Sequence, residues 1–367
     1  MAKDTSTPQP APQDKPAGHA PVLRLGNVDI KLARLFVIAL FILVAMSLAK
    51  PDIFPTVTNF KSMSVQFPEI GILALAIMIT MLTGGIDLSV TAIGNLTGIL
   101  ATFVLARMIT PDMSQVQAIP GILAAIGFAL LAGALCGLLN GLLIAIIGIT
   151  PILATLGTLY LFTGFCYVLT NGPAVFGVAQ FQFIGGGDVL GLPIPLLIFA
   201  AAALILSILF SRTAFGIKLY MLGSNPTASR FSGIGNRRML IQTYVISGLL
   251  GATAGIIFLG RNNSAKADYG SSYVLQAILV AILGGINPYG GFGKISGLVL
   301  AILSLQFLNT GLNMLLVQYS GSFFFNEFAY GALLLLVMAI DKLPPIHLAR
   351  GSPRAAGPGV ADNKEVV

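Results

Sequence analysis

Long apolar runs occupy most of this 367-residue chain, from Leu32 to about Ile340. A helix that crosses a bilayer needs about 20 mostly apolar residues. The eighth of these runs is short, and the fourth is long enough to tilt or break. The predicted fold class is therefore all-α, a polytopic membrane helical bundle of about ten transmembrane helices. The predicted spans are about 32–49, 67–84, 89–107, 118–147, 152–170, 192–210, 239–260, 273–285, 294–315 and 324–340.

The composition indicates that lipid is the main solvent of the chain. Charged residues make up 9% and hydrophobic residues 56%, whereas a soluble domain averages about 25% charged residues. Residues 1–30 are rich in Pro, Ala and Lys, and the pattern of a cleaved signal peptide is missing. We therefore predict a disordered cytoplasmic tail at 1–31, a transmembrane domain at 32–342 and a disordered cytoplasmic tail at 343–367.

Lys and Arg predict the orientation of the chain. The segment 211–238 holds five cations and no acid. If the N-terminus is cytoplasmic, 15 of the 20 Lys and Arg residues lie inside, and the opposite orientation would invert that bias. We expect both termini and the 211–238 loop on the cytoplasmic side of the membrane. The net charge of +7 then needs no nucleic-acid partner.

Two stretches 200 residues apart resemble each other. The string ITMLTGGID at 79–87 matches LVAILGGIN at 279–287, and each lies between two apolar runs. In the ten-helix topology both cross from outside to inside, so the internal repeat is parallel. Transporters often place the substrate path along the interface of such repeats. Chance similarity between two glycine-rich apolar strings is the alternative.

The string GGIDLS at 84–89 is the sharpest local signal. Gly84 and Gly85 loosen the helix, and Asp87 or Ser89 can then cap the next helix by accepting backbone N–H groups. The functional alternative is an acidic residue on a translocation path, because ionisable groups at membrane depth are usually functional. We favour the cap.

Neutral polar side chains interrupt several apolar runs. Each must find a partner or face water. Hydrogen bonds between helices are one interpretation. A conduit for a polyhydroxylated solute is the other, because amides both donate and accept hydrogen bonds. These residues are Asn95, Asn140, Gln276, Asn309 and Asn313.

The basic loop contains a predicted surface helix. Asn225 suits the cap and Pro226 the first helical position, and Gly233 and Gly235 end it. Such a helix could lie on anionic membrane lipid. It could instead dock into a groove of a soluble partner.

The chain lacks residues for several kinds of chemistry. The string GGFGK at 290–294 lacks the first Gly and the Ser or Thr of a phosphate-binding loop. Cys136 and Cys166 lie in apolar runs and the two His lie in the tails, so we predict no disulfide, metal, cofactor or catalytic cluster. An ion-coupled secondary transporter of a small polar solute would need ionisable groups at mid-membrane. The runs offer chiefly Asp87 and Glu69, both near predicted ends.

Four strings occur in an order typical of one family. They are GGIDLSV at 84–90, TPILATLGT at 150–158, the segment 223–234, and QAI at 276–278 followed by GG at 284–285 and GGFG at 290–293. From Leu32 to Lys342 the chain thus resembles the permease subunit of ribose-type bacterial ABC sugar importers. The predicted residues of the translocation path or of helix breaks are Gly84, Gly85, Asp87, Ser89, Asn140, Thr155, Gln276 and Asn309.

The resemblance implies a non-enzymatic subunit of the bacterial inner membrane that imports a monosaccharide or related polyol. In that family two permease copies, alike or different, form the membrane core. ABC-type ATPase subunits dock on the loop between the sixth and seventh spans, and a periplasmic substrate-binding protein delivers the sugar. By resemblance, the ATPase-coupling loop includes Gly223, Asn225, Ala228, Arg230, Ser232 and Gly233.

The chain departs from the family pattern at three places. Thr91 stands where a glycine usually follows GGIDLSV, Ser229 replaces the second alanine of the coupling motif, and VLQ at 274–276 replaces a common ELD. These departures leave the substrate open.

Overall fold

Helices dominate the computed structural model, which describes residues 24–25 and 28–316, together with 325, 328–329, 331–332 and 335. The α-helices in this part of the chain are α1 Ile30–Ala49, α2 Val57–Met81, α3 Val90–Met108, α4 Gln115–Leu142, α5 Pro151–Thr170, α6 Gln182–Gly186, α7 Ile194–Arg212, α8 Ala214–Ser224, α9 Pro226–Phe231, α10 Asn236–Asn262, α11 Tyr273–Leu283 and α12 Ile295–Leu316.

Eight helices of the described part are long and apolar enough to cross a membrane: α1, α2, α3, α4, α5, α7, α10 and α12. This confirms the prediction of a polytopic helical membrane protein. The eighth predicted run forms α11, whose 11 residues are short for a span. The tenth, at 324–340, lies almost wholly outside the described residues. The fourth, predicted to tilt or break, continues from α4 into a π-helix at Leu143–Ile147.

The second predicted span, at 67–84, is wrong at both ends. The helix α2 begins at Val57 because the hydroxyl of Thr56 caps it by accepting the N–H of Asn59. It ends at Met81, before the glycine pair. The reason is that a well-capped polar first turn can extend a helix beyond its apolar run.

Short strands form three antiparallel pairs in the described part of the chain. One pair lies within residues 1–31, predicted as a disordered tail. Most of that tail, and all of 343–367, lie outside the described residues. The pairs are β1 Arg24–Leu25 with β2 Val28–Asp29, β3 Val175–Phe176 with β6 Ser264–Ala265, and β4 Asp188–Val189 with β5 Leu192–Pro193.

The helix α10 lies at the centre and packs against α2, α3 and α4. Glycines allow this close approach. A Cβ on Gly137 of α4 would lie 3.0 Å from the Cα of Val245, and one on Gly94 of α3 would lie 3.0 Å from the carbonyl oxygen of Gly251. The glycine faces therefore pack helices together, as small residues do in membrane bundles.

The two repeated strings end their helices in the same way. After α2, Gly84 has φ +82°, and the N–H groups of Gly84 and Gly85 donate to Met81 and Thr80. After α11, Gly285 has φ +82°. Its N–H donates to the carbonyl oxygen of residue 282, and the N–H of residue 286 donates to the carbonyl oxygen of residue 281. Both are Schellman caps, and they correspond at an offset of 201 residues rather than 200.

The repeat is parallel, as predicted. The N–H of Gly291, in the turn after α11, donates to the carbonyl oxygen of Leu82 at the end of α2, 3.0 Å away. The helices α2 and α11 also pack against each other. Their C-terminal ends therefore lie at the same end of the bundle.

Candidate functional site

The loop between α7 and α10 contains two helices, α8 and α9. As predicted, Asn225 caps α9: its side-chain oxygen accepts the N–H of Ala228 at 2.9 Å, and Pro226 is the first helical residue. Gly233 follows with φ +79°. The loop is thus built from two short helices.

The surface of α9 is open and basic. Phe231 is 88% exposed, and the predicted coupling residues Asn225, Ala228, Arg230, Ser232 and Gly233 are exposed with it. A cavity of about 950 Å³ adjoins it, and its described lining residues include no acid. Its cations are Lys218, Arg230, Arg237 and Arg238.

Gly223, the first predicted coupling residue, occupies a different place. It is half-buried against the transmembrane helices. A Cβ on Gly223 would lie 2.5 Å from the backbone nitrogen of Gly291, and one on Gly290 would lie 2.8 Å from the carbonyl oxygen of Gly223. Gly223 therefore contacts the membrane bundle from the loop.

Three separate segments meet at this point, and we call the contact the glycine junction: residues 82–84, 223–224 and 290–293. A Cβ on Gly290 would also lie 2.9 Å from the nitrogen of Gly84. The Tyr220 hydroxyl donates to the carbonyl oxygen of Gly293 at 2.7 Å, and burial raises the pKa of this phenol. The loop thus touches the turns that follow both repeated helices, with backbone against backbone.

Asp87 is fully buried and accepts three hydrogen bonds. One oxygen accepts from the N–H of Ser89 at 3.0 Å and from its hydroxyl at 2.7 Å. The other accepts from the hydroxyl of Ser247, on α10, at 2.8 Å. The carboxyl group thus connects the turn before α3 to the central helix.

This arrangement corrects the predicted cap. Ser89 is the N-cap residue of α3, but its side chain makes no capping bond to the helix. Asp87 instead accepts the N–H of Ser89 itself, before the first helical turn. Asp87 also accepts a bond from the Ser247 hydroxyl on α10, a partner 160 residues away that the sequence pattern does not indicate.

Two more predicted residues extend the network. Asn140 of α4 donates to the Ser89 hydroxyl at 2.8 Å and accepts from Thr158 of α5 at 2.7 Å. The Thr155 hydroxyl lies 3.1 Å from both the carbonyl oxygen of Ile86 and the nitrogen of Leu88. All of these side chains are buried, so the network ties helices together.

Gln276 and Asn309 lie elsewhere, in a small cavity among α2, α11 and α12. Its volume is about 20 Å³, and its lining includes Gln306 as a third amide. Gln306 is 5% exposed and donates to Gln66 of α2 at 3.3 Å and to Thr310 at 3.0 Å. The predicted path residues with polar side chains therefore separate into a buried network and an amide-lined cavity.

Sequence reasoning missed Gln306, although its spacing gave a signal. It lies three residues before Asn309, on the same face of α12. The sequence pattern also placed Glu69 near the end of a predicted span. Glu69 lies near the middle of α2, because that helix begins at Val57. Glu69 is 1% exposed and pairs with Arg261 at 2.8 Å, and its other oxygen has no hydrogen-bond partner among the described residues.

Residues 59–340 match a family model described as "Branched-chain amino acid transport system / permease component". Similar proteins include three named Autoinducer 2 import system permease protein LsrD. The one from Yersinia enterocolitica is 35% identical over 283 residues, covering 74% of this chain and 80% of the relative. Those from Photorhabdus temperata and Photorhabdus luminescens are 35% and 36% identical, each covering 68% of this chain and 74% of the relative.

Proposed function

The chain belongs to the family of transport-system permease components and is the permease of an ABC-type importer, and we propose that it carries a hydroxylated, sugar-like solute into the cytoplasm. The polar groups of the α2, α11 and α12 cavity are neutral amides. Amides suit hydroxyl groups because they donate and accept hydrogen bonds. A zwitterionic amino acid would need charged side chains that are free to bind its ammonium and carboxylate groups. Glu69 and Arg261 instead form an ion pair with each other.

The name of the relatives adds a specific substrate to this proposal. They are permeases of autoinducer 2 import systems. Autoinducer 2, or a monosaccharide or polyol of similar size, is therefore the first solute to test on this chain.

The proposed partners follow from the family. The permease would work with ABC-type ATPase subunits, a periplasmic substrate-binding protein and a second permease copy, the same or different. The ATPase would dock on the exposed side of α9, around Phe231 and the basic cavity. The exposed cations there complement an acidic groove. Both termini and this loop would be cytoplasmic, and ATP hydrolysis would take place on the partner.

The glycine junction is the observation that supports a mechanism for coupling ATP hydrolysis to solute movement. The loop that would receive the ATPase contacts the turns after α2 and α11 through backbone atoms. Where backbone contacts backbone without intervening side chains, a movement of one segment displaces the other by a similar distance. The reason is that packed interfaces are not continuously deformable. Movement of the loop would therefore displace both repeats together.

The test is reconstitution with the ATPase and binding protein of the same system. We expect uptake of autoinducer 2 or D-ribose into proteoliposomes only when ATP is supplied on the ATPase side. A transmembrane proton or sodium gradient should not replace ATP. Uptake by the permease alone under such a gradient would contradict this proposal and favour an ion-coupled transporter.

A further inference from the structure

One face of α12 carries four neutral polar residues in succession. Gln306, Asn309, Thr310 and Asn313 have the spacing i, i+3, i+4 and i+7, which places them on one side of a helix. The face covers about two turns, beginning about 16 Å along the helix from Ile295. We call these four residues, together with Gln66 and Gln276 on the neighbouring helices, the amide stripe.

Among the described residues, helix packing uses little of the hydrogen-bonding capacity of Gln276, Gln306 and Asn309. A bond between helices joins Gln306 to Gln66 at 3.3 Å, which is long. Gln306 to Thr310 and Asn313 to Asn309 are bonds within α12. The Gln276 side chain makes no hydrogen bond to any other described residue. Such groups are costly in an apolar bundle unless they meet water or a solute.

The cavity beside the stripe is too small for a sugar. Its volume of about 20 Å³ is enough for one water molecule. A solute could enter only if α2, α11 and α12 moved apart. The glycine junction lies at the ends of α2 and α11 and just before α12. The helices that line the cavity are therefore those that the loop would displace.

We propose that the amide stripe is a binding subsite for the hydroxyl groups of the transported solute, formed when these three helices separate. This inference rests on the proposed function and adds the place and the chemistry of solute contact. The subsite would take uncharged solutes with several hydroxyl groups. It would not hold a carboxylate or an ammonium group firmly, because no charged side chain lines the described cavity.

The first test uses near-isosteric changes that remove hydrogen-bonding groups. In the reconstituted complex with saturating binding protein, Gln276→Met combined with Asn309→Leu should lower the rate of ATP-driven uptake about tenfold or more. The physical reason is that the loss of one hydrogen bond typically weakens binding about three- to tenfold. The matched control is Thr253→Val on α10, whose hydroxyl donates to the carbonyl oxygen of Leu249. That variant should transport like the unchanged protein.

The second test measures contact directly. Asn309→Cys, in a background with Cys136→Ala and Cys166→Ala, should react with a small water-soluble thiol reagent during ATP turnover. Autoinducer 2 or D-ribose, whichever is transported, should slow that reaction.

The outcomes separate the two proposals. If the unchanged complex takes up neither solute with ATP, the proposed function is wrong and this inference falls with it. If that complex transports, but the double variant keeps its full uptake rate, the subsite alone is wrong. Loss of uptake together with loss of ATPase association would also overturn the subsite, because it would indicate a structural role.

Discussion

At the residue scale, Asp87 illustrates how a buried carboxyl group can be satisfied by neutral donors. Two hydroxyls and one backbone N–H surround it, from its own turn and from α10. Buried polar networks that are fully satisfied stabilise one arrangement of the surrounding helices. Asp87 therefore has a sufficient structural explanation that does not require contact with the solute.

We predict that Asp87→Asn is tolerated and that Asp87→Leu is not. The Asn side chain keeps an acceptor for Ser89 and can donate to Ser247, whereas Leu leaves these buried groups without a partner. A lost partner costs about 1–3 kcal/mol per group. Unfolding in detergent should show a loss of about 2 kcal/mol or more for Leu and under about 1 kcal/mol for Asn.

Gly85→Leu is the companion variant. A Cβ on Gly85 would lie 2.7 Å from the Tyr244 hydroxyl oxygen and 2.9 Å from Pro151, so this change should impair uptake more than Asp87→Asn. Abolished uptake in a well-folded, fully assembled Asp87→Asn protein would instead assign the charge of Asp87 to transport.

At the element scale, glycine faces determine how closely α10 can approach its neighbours. The face of α4 that includes Gly133 and Gly137 lies against the backbone of α10, while Gly127 of the same helix faces outward. This difference within one helix allows a controlled test of the packing.

Gly137→Val should destabilise the bundle strongly, and Gly127→Val should not. A side chain at 137 would collide with the backbone of Tyr244 and Val245, which cannot rotate away, whereas nothing lies within 4 Å of a Cβ at 127. Overpacking typically costs about 1–3 kcal/mol or more. Thermal unfolding of the purified protein measures both. Equal stability of the two variants would show that α4 and α10 are not packed as described.

At the scale of the whole molecule, the glycine junction fixes one end of the bundle. The loop with α9 and the turn with Tyr289 must lie on the same side of the membrane, because residues 223 and 290 are in contact. Phe231 and Tyr289 are each 88% exposed, and Val57, at the start of α2, is 84% exposed. These three positions can therefore report the orientation.

We predict that Phe231→Cys and Tyr289→Cys react with thiol reagents only from the cytoplasm, and Val57→Cys only from outside. The basis is the excess of Lys and Arg on the side of the 211–238 loop, because the cytoplasmic side of membrane proteins carries such an excess. Impermeant reagents applied to intact and to lysed cells make the measurement. Labelling of Phe231→Cys in intact cells would invert the proposed topology.

Sequence reasoning worked where a feature is local and failed where it depends on a distant partner. Apolar runs predicted the helical bundle, and the Asn225–Pro226 pair predicted the start of α9. Sequence patterns did not predict the hydrogen bond from Ser247 to Asp87, or the backbone contact between Gly223 and Gly291. The one-residue shift between the repeats also escaped it, because a Schellman cap depends on which glycine takes positive φ.

In the proposed mechanism, the loop between α7 and α10 moves both repeats through the glycine junction. Gly291 and Gly285 both have positive φ, at +78° and +82°, so alanine imposes a similar backbone strain at each. A Cβ on Gly291 would lie 2.9 Å from the Cα of Ser224, whereas nothing lies within 4 Å of a Cβ on Gly285. The two substitutions therefore differ mainly in whether they disturb the junction.

The decisive measurement is the number of solute molecules taken up per ATP hydrolysed in proteoliposomes. Gly291→Ala should lower this ratio about tenfold, while the ATPase still associates and hydrolyses ATP. Gly285→Ala should keep a ratio close to that of the unchanged protein. An unchanged ratio in Gly291→Ala would contradict transmission through the junction, and so would an equal fall in both variants.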